Sequence, residues 1–145
     1  MSLRVAIRRT SFRVMLPDVD KKPCLKRSSE CLRVRVYTDG INDVVPRPDG
    51  FVHPGDGGMS VDDTAEKIFP AFLRLARRSD RDEQLWRISE DDIPSELVCR
   101  RVSRRGTDHY HLEPRFPMSL KQYEILLAGT RDAWDVHYIE PLETT

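Results

Sequence analysis

The pattern of hydrophobic and polar positions predicts short β-strands along much of the chain. Several segments alternate apolar with polar residues or form short apolar runs. Both patterns are typical of strands, whose side chains point alternately to opposite faces of a sheet. The predicted strands are, in chain order, Leu3–Ile7, Phe12–Leu16, Leu32–Tyr37, Leu85–Ile88, Leu97–Val102, His109–Leu112 and Trp134–Ile139. We expect Leu97–Val102 and His109–Leu112 to pair as a hairpin, because a Gly-containing tip joins them.

Between Ser60 and Arg78 the pattern changes to the period of an α-helix. The apolar residues of this segment fall on one helical face: Ile68, Phe69, Phe72, Leu73 and Ala76. Ser60 and Asp63 resemble a capping box, which predicts that the Ser60 hydroxyl caps the N-terminus of the helix. Pro70 lies inside the segment, so we expect either a kink or a short first helix followed by a second one.

A further helix is predicted to begin at Ser119, which forms a capping box with Gln122, and to end near Gly129. Strands interspersed with one or two main helices indicate an α+β fold. The length of 145 residues suits a single domain spanning 1–145. Trp86 and Trp134 are predicted core residues, because large aromatic rings stabilise a fold most when they are buried.

Composition narrows the classes of protein to which the chain can belong. It has 24 basic and 24 acidic residues, so its charge implies neither nucleic acid nor an anionic membrane as a partner. No apolar run reaches the length of a membrane span, and the basic first residues lack the apolar core of a signal peptide. Three cysteines without metal-ligand spacing are interpreted as free thiols. We therefore expect a cytoplasmic protein, and this expectation is compatible with delivery into a target cell. We also expect the basic residues 1–30 to be poorly ordered.

The segment Thr38–Gly58 is rich in glycine and proline and is predicted to be a long loop. A loop of this length inside a compact domain is usually functional or poorly ordered. Gly57 and Gly58 lie at its end, where the lack of side chains would let backbone N–H groups approach a phosphate or a sugar. We therefore expect both glycines to contribute to ligand binding.

Two histidines and a carboxylate alternate along the second strand of the predicted hairpin and just beyond it. His109, His111 and Glu113 would share one face of that strand, and His53 could complete a metal site with them. The alternatives are an ordinary polar strand face and another catalytic use. The sequence contains no G-x-S-x-G nucleophile turn, no P-loop and no dinucleotide-binding G-x-G-x-x-G motif.

Two blocks of the sequence resemble a known toxin family. The first consists of Asp49–Pro54, then Gly57–Val61 and Asp63, where the family has Asp-Gly, two bulky residues, Pro, Gly-Gly-Thr-Ser-Val and Asp. The second consists of Asp92–Leu97, then His109-Tyr110, Pro114 and Pro117-Met118, where the family has Asp-Ile-Pro-Pro-Asp-Leu, His-Tyr and a Pro-Met that enters a helix. Together they resemble the toxin domain of type VI secretion exported effector two, a family of bacteria and filamentous fungi.

The resemblance implies a compact ADP-ribosyltransferase-like split β-sandwich with a cleft for NAD. It further implies NAD as the substrate, an ADP-ribose acceptor of unknown identity and, for bacterial members, a neutralising immunity protein. The family's Thr-Ser pair is needed for toxicity. Ser60 matches that serine, whereas Met59 replaces the threonine, and His109 matches the histidine of the second block.

These matches and the chemistry of the reaction define the expected site. Cleavage of the nicotinamide–ribose bond requires groups that hold the ribose, bind the pyrophosphate and stabilise positive charge. We expect Ser60, His109 and Glu113 to be catalytic, with Glu113 as a carboxylate outside the family pattern. Arg13, Arg47, Gly57 and Gly58, together with Ser60 and His109, are the expected NAD-binding residues.

Two other functions are compatible with the sequence. A degenerate member of the fold would bind a nucleotide or a protein without turnover, and Met59 favours this alternative. A metal-dependent enzyme would use His53, His109, His111 and Glu113 as ligands.

Overall fold

The computed structural model describes residues 9–25, 43–78, 83–104 and 107–138. The strands are β1 (Thr10–Met15), β2 (Phe51–Val52), β3 (Met59–Val61), β4 (Gln84–Ser89), β5 (Leu97–Arg104), β6 (Thr107–Pro114), β7 (Met118–Ser119) and β8 (Asp135–Val136). The helices are α1 (Ala65–Arg78) and α2 (Leu120–Gly129), with 3₁₀ turns at Glu90–Asp92 and Arg131–Ala133. This mixture of elements confirms the predicted α+β fold.

The strands form two three-stranded antiparallel sheets and one small two-stranded sheet. The sheet orders are β1-β4-β8, β3-β6-β5 and β2-β7. A backbone bridge links the two larger sheets: the Phe12 N–H donates to the Asp62 carbonyl (2.8 Å), and the Asp62 N–H donates to the Phe12 carbonyl (3.0 Å). The start of β1 is therefore tied to the residue that follows β3.

The main core is formed by side chains of both larger sheets. It contains Met15, Trp86 and Ile88 from the first sheet and Met59, Val61, Leu97, Tyr110 and Leu112 from the second, together with Tyr123, Leu127 and Trp134. The opposite face of β1 and β4 is covered by α1, where Ile68 packs with Phe12, Val14 and Leu85. Burial of both tryptophans confirms the prediction that they are core residues.

The predicted capping role of Ser60 is wrong. Ser60 lies in the middle of β3, between the buried side chains of Met59 and Val61, and this alternation is the two-residue period of a strand paired with β6. Helix α1 begins five residues later, at Ala65, and the Thr64 hydroxyl accepts the Lys67 N–H (3.3 Å). Long-range strand pairing therefore overrides the local capping signal.

Most other predicted elements are present with shifted bounds. Strands β4, β5 and β6 contain the segments predicted for them, and the Ser119 hydroxyl accepts the Gln122 N–H (3.1 Å) at the start of α2. Helix α1 runs through Pro70 as one helix, so the alternative of two helices is wrong. The last strand is shorter than expected, and the predicted loop contains β2. The predicted strands Leu3–Ile7 and Leu32–Tyr37 lie outside the described residues.

The cysteines differ from the expectation of three free thiols. Cys24 is disulfide-bonded, whereas Cys99 in β5 is free and lies 3.7 Å from the Ser11 hydroxyl. Burial raises the pKa of the Cys99 thiol. Within the described residues, no helix is long and apolar enough to cross a membrane.

The Tyr123 hydroxyl connects α2 to two paired strands. It accepts the backbone N–H of Met59 (2.9 Å) and donates to the backbone carbonyl of Leu112 (2.5 Å). Met59 and Leu112 are register partners, so the hydroxyl satisfies the two backbone groups at the start of the β3–β6 pairing. Burial raises the pKa of Tyr123, which keeps this bridge protonated.

We expect Tyr123→Phe to lower the free energy of unfolding by about 1–3 kcal/mol, because it leaves two buried backbone groups without this partner. Urea denaturation of the purified protein measures the effect. Tyr138→Phe is the matched control, since Tyr138 is 83% exposed and its substitution should change stability by less than about 0.5 kcal/mol. Equal stability of the two variants would contradict a structural role for the buried hydroxyl.

Candidate active site

The β3-β6-β5 sheet has a polar face opposite the main core. Met59 and Val61 point into the core, so Ser60 between them points to the other side of the sheet. The register places Ser60 opposite His111, and His111 opposite Arg100. Because directly paired residues share a face, these side chains form one row across three strands. We define the polar face by six residues: Ser60, Asp62, Arg100, His109, His111 and Glu113.

Two histidines lie side by side on the polar face. Their rings have centroids 5.3 Å apart and meet edge to face. Nδ1 of His109 lies 3.6 Å from Oδ1 of Asp62, and the His109 side chain is 28% exposed. His111 is buried, and its Nδ1 lies 3.6 Å from Oε2 of Glu113. Each imidazole therefore has a carboxylate beside it, and His109 is the one that a ligand can reach.

Glu113 is a buried carboxylate with several polar neighbours. Its Oε1 accepts the backbone N–H of Gly55 (2.8 Å) and lies 3.6 Å from Nη1 of Arg100, while its side chain is 2% exposed. Burial alone would raise the pKa of Glu113. The adjacent His111 imidazole, the hydrogen bond from the Gly55 N–H and the charge of Arg100 outweigh burial and lower the pKa below its usual value. Glu113 is therefore ionised at neutral pH.

The segment from His53 to Asp56, which we call the glycine turn, packs against Glu113. The Asp56 N–H donates to the His53 carbonyl (3.0 Å), and Gly55 has a φ of +93°. Pro54 followed by a glycine at positive φ is the pattern of a type II turn. Oδ2 of Asp56 accepts the His53 N–H (3.1 Å) and lies 3.2 Å from Nε of Arg47. The turn is thus held by Glu113 at Gly55 and by Arg47 at Asp56.

Gly57 and Gly58 are required by contacts with the protein's own backbone. A Cβ at Gly57 would overlap the Asp43 carbonyl, and the residue has a φ of +100°. A Cβ at Gly58 would overlap the Leu112 carbonyl and press on Glu113. Steric packing therefore accounts for both glycines without a ligand.

The two arginines expected to bind pyrophosphate have different environments. Arg13 in β1 is buried, and its Nη1 donates to the Ser60 carbonyl (2.7 Å). This hydrogen bond therefore connects β1 of the first sheet to β3 of the second sheet. The Arg47 side chain is 53% exposed and pairs with Asp56 of the glycine turn.

The structure brings the predicted residues Ser60, His109 and Glu113 to one face. In the described part of the chain, no three His, Cys, Asp or Glu side chains are arranged to hold a metal ion, so the geometry gives no support to the metal-dependent alternative. The sequence pattern assigns His111 to a metal site, an ordinary polar strand face or another catalytic use, but not to NAD binding, and it does not identify Asp62 or Arg100 as site residues. Asp62 continues the alternation of Ser60 and was detectable, whereas Arg100 joins the site only through the register of β5 with β6.

The lowered pKa of Glu113 predicts a specific loss of stability in acid. A depressed pKa in the folded state stabilises the fold above the ordinary pKa of about 4.5, and this contribution is lost as the pH falls from there through the folded value. The free energy of unfolding should therefore fall more steeply below about pH 5 in the wild type than in Glu113→Gln. Denaturant titrations from about pH 7 to pH 3 test this, and parallel curves would contradict it.

One comparison with known proteins agrees with the observed fold. The family model described as Tse2 ADP-ribosyltransferase toxin matches residues 15–134, which include Ser60 and the strands β3 to β6. No curated protein matches the chain significantly. The match spans most of the sequence, and the packed sheets with two helices are compatible with a compact ADP-ribosyltransferase-like fold. The chain therefore belongs to the Tse2 ADP-ribosyltransferase toxin family.

Proposed function

We propose that the protein binds NAD against the polar face, breaks the bond between nicotinamide and ribose, and transfers ADP-ribose to an acceptor. Membership of a toxin ADP-ribosyltransferase family supports this reaction class. The observation that carries the proposal is the register of β3 with β6. It places Ser60 opposite His111, between His109 and Glu113 along the neighbouring strand.

The polar face has candidate groups for holding the ribose as its bond to nicotinamide breaks. As the bond breaks, nicotinamide leaves with the electron pair and positive charge develops on the ribose. The Ser60 hydroxyl and the accessible His109 imidazole hydrogen-bond ribose hydroxyls and fix the position of the sugar. The acceptor then bonds to the anomeric carbon through its lone pair and releases its proton. Placement of both reactants on one rigid sheet lowers the barrier by orientation.

Glu113 supplies negative charge from beneath the surface. With 2% of its side chain exposed, it acts through its electrostatic field and through the residues that it holds. A carboxylate that is ionised in a buried site stabilises nearby positive charge more strongly than one in water. Arg13 acts through Ser60, whose carbonyl it binds, whereas Arg47 is exposed enough to contact the pyrophosphate.

The position of Met59 weakens the non-catalytic alternative. The family has threonine here, but the Met59 side chain is 1% exposed and belongs to the main core. A threonine in the same strand position would point its hydroxyl into the core and away from Ser60. The replacement therefore changes core packing on one side of β3 and leaves the polar face on the other side intact.

The substitution Met59→Thr tests this interpretation. We expect it to lower the free energy of unfolding by about 1–3 kcal/mol, because it removes buried volume and buries a hydroxyl. NAD turnover per folded molecule should stay within about twofold of wild type, since the polar face is unchanged. A large gain in turnover would show that the methionine had impaired the site.

The proposed reaction predicts that Ser60→Ala and His109→Ala each lower activity by about tenfold or more, because each removes a hydrogen bond to the reacting sugar. Incubation of adenylate-labelled NAD with a cell lysate measures transfer of the label, and the same reactions are assayed for free nicotinamide. Ser95→Ala, which changes an exposed serine outside the polar face, is the control and should match wild type.

The two readouts separate the possible outcomes. Release of nicotinamide without labelled macromolecule would identify water or a small molecule as the acceptor. A folded wild-type protein that gives neither signal would contradict the proposed enzyme and favour a non-catalytic binding role. Circular dichroism of each variant confirms that lost activity does not reflect unfolding.

A further inference from the structure

We propose that Arg100 binds the pyrophosphate of NAD, as the second of two arginines that flank the glycine turn. This inference rests on the proposed function, because it names a further contact to the same substrate. Arg100 is not among the residues of either sequence block that match the family, and its place in the site depends on strand register alone.

Arg100 lies two strands away from Ser60 on the same face of the sheet. Arg100 pairs with His111, which pairs with Ser60, so the three side chains stand in one row on the polar face. Adjacent strands lie about 4.8 Å apart, which puts the backbones of Ser60 and Arg100 about 10 Å from each other. A dinucleotide that contacts Ser60 through its ribose and extends toward β5 would bring its pyrophosphate within reach of the long Arg100 side chain.

The Arg100 guanidinium lies between a buried carboxylate, the glycine turn and solvent. The Arg100 side chain is 52% exposed, and Nη1 lies 3.6 Å from Oε1 of Glu113. A Cβ at Gly55 would lie 3.2 Å from the same nitrogen, so the guanidinium rests directly on the glycine turn. Glu113 holds one end of a planar group that has five N–H donors, and the exposed part of the side chain faces solvent. The group is oriented in advance and accessible.

A second arginine, Arg47, also contacts the glycine turn. Nε of Arg47 lies 3.2 Å from Oδ2 of Asp56, and its side chain is 53% exposed. Arg47 and Arg100 are thus two half-exposed guanidinium groups, each anchored by a carboxylate that also accepts a backbone N–H of the glycine turn. Two planar donors around one turn suit a ligand with two linked phosphates.

This arrangement assigns different tasks to the neighbouring charges. Arg13 is buried and donates to the Ser60 carbonyl, which accounts for its position without a phosphate. Glu113 is a positioning residue in this inference, since it contacts Arg100 and Gly55 and has almost no exposed surface of its own. Of Arg13, Glu113 and Arg100, Arg100 is the one that contacts the substrate in this inference.

Calorimetric binding of ADP-ribose, which carries the pyrophosphate but no nicotinamide, tests the proposal without turnover. We expect Arg100→Gln to weaken binding roughly 10-fold to 100-fold, the effect of losing charge-assisted hydrogen bonds. Arg100→Lys should recover part of this loss, because it restores the charge without the planar fork. If Arg100→Gln does not fold, the ADP-ribose affinity of Arg100→Lys relative to that of the wild type tests the proposal instead.

The matched control is Arg101→Gln. Arg101 is the next residue of β5, and its register partner Tyr110 points into the core, so Arg101 stands on the other side of the sheet. This variant removes the same charge and should bind ADP-ribose like wild type. Equal losses in the Arg100 and Arg101 variants would indicate a general effect of charge and overturn the proposal.

The outcomes distinguish this inference from the proposed function. If wild type and Arg100→Gln bind ADP-ribose equally well, Arg100 has no role in pyrophosphate binding while the proposed function stands. If wild type binds neither NAD nor ADP-ribose, both proposals fail. Selective weakening in Arg100→Gln, with partial recovery in Arg100→Lys, supports the assignment.

Discussion

The antiparallel register between β3 and β6 is the constraint on which the rest of the site depends. It pairs Met59 with Leu112 and Ser60 with His111, which divides the sheet into a core face and a polar face. A slip of one residue would turn Ser60 into the core and expose its apolar neighbours, so hydrophobic burial selects this register strongly. The Tyr123 hydroxyl and the side-chain-free Gly58 hold the beginning of the pairing in place.

Burial of Glu113 couples the glycine turn to this sheet. A buried ionised carboxylate is costly unless polar partners surround it, and the Gly55 N–H is one of those partners. The Gly55 N–H of the glycine turn therefore stabilises the buried charge of Glu113. In the same contact, Glu113 holds the glycine turn beside the polar face. The same contacts therefore stabilise the fold and orient the polar groups of the site before a ligand binds, as expected for a preorganised electrostatic environment.

The two faces of the sheet also explain how a family member can differ from its relatives at a motif position. Met59 stands where the resemblance to the family implies a threonine, and its side chain belongs to the core. Adjacent residues of a strand serve different purposes, because their side chains point to opposite sides. The chain therefore combines an altered core with an intact set of polar groups on the face that we propose binds NAD.

The sequence alone determined the features that depend on neighbouring residues. Periodicity predicted the β5–β6 hairpin and the α+β class, capping chemistry predicted the start of α2 at Ser119, and two motif blocks indicated the family. Tertiary structure decided that Ser60 belongs to a strand, that Glu113 is buried beneath the glycine turn, and that Arg100 joins the same face. The physical reason is that β3, a strand of three residues, has no stable structure of its own. Its state depends on pairing with a distant segment, and sheet order and register create contacts that no local pattern specifies.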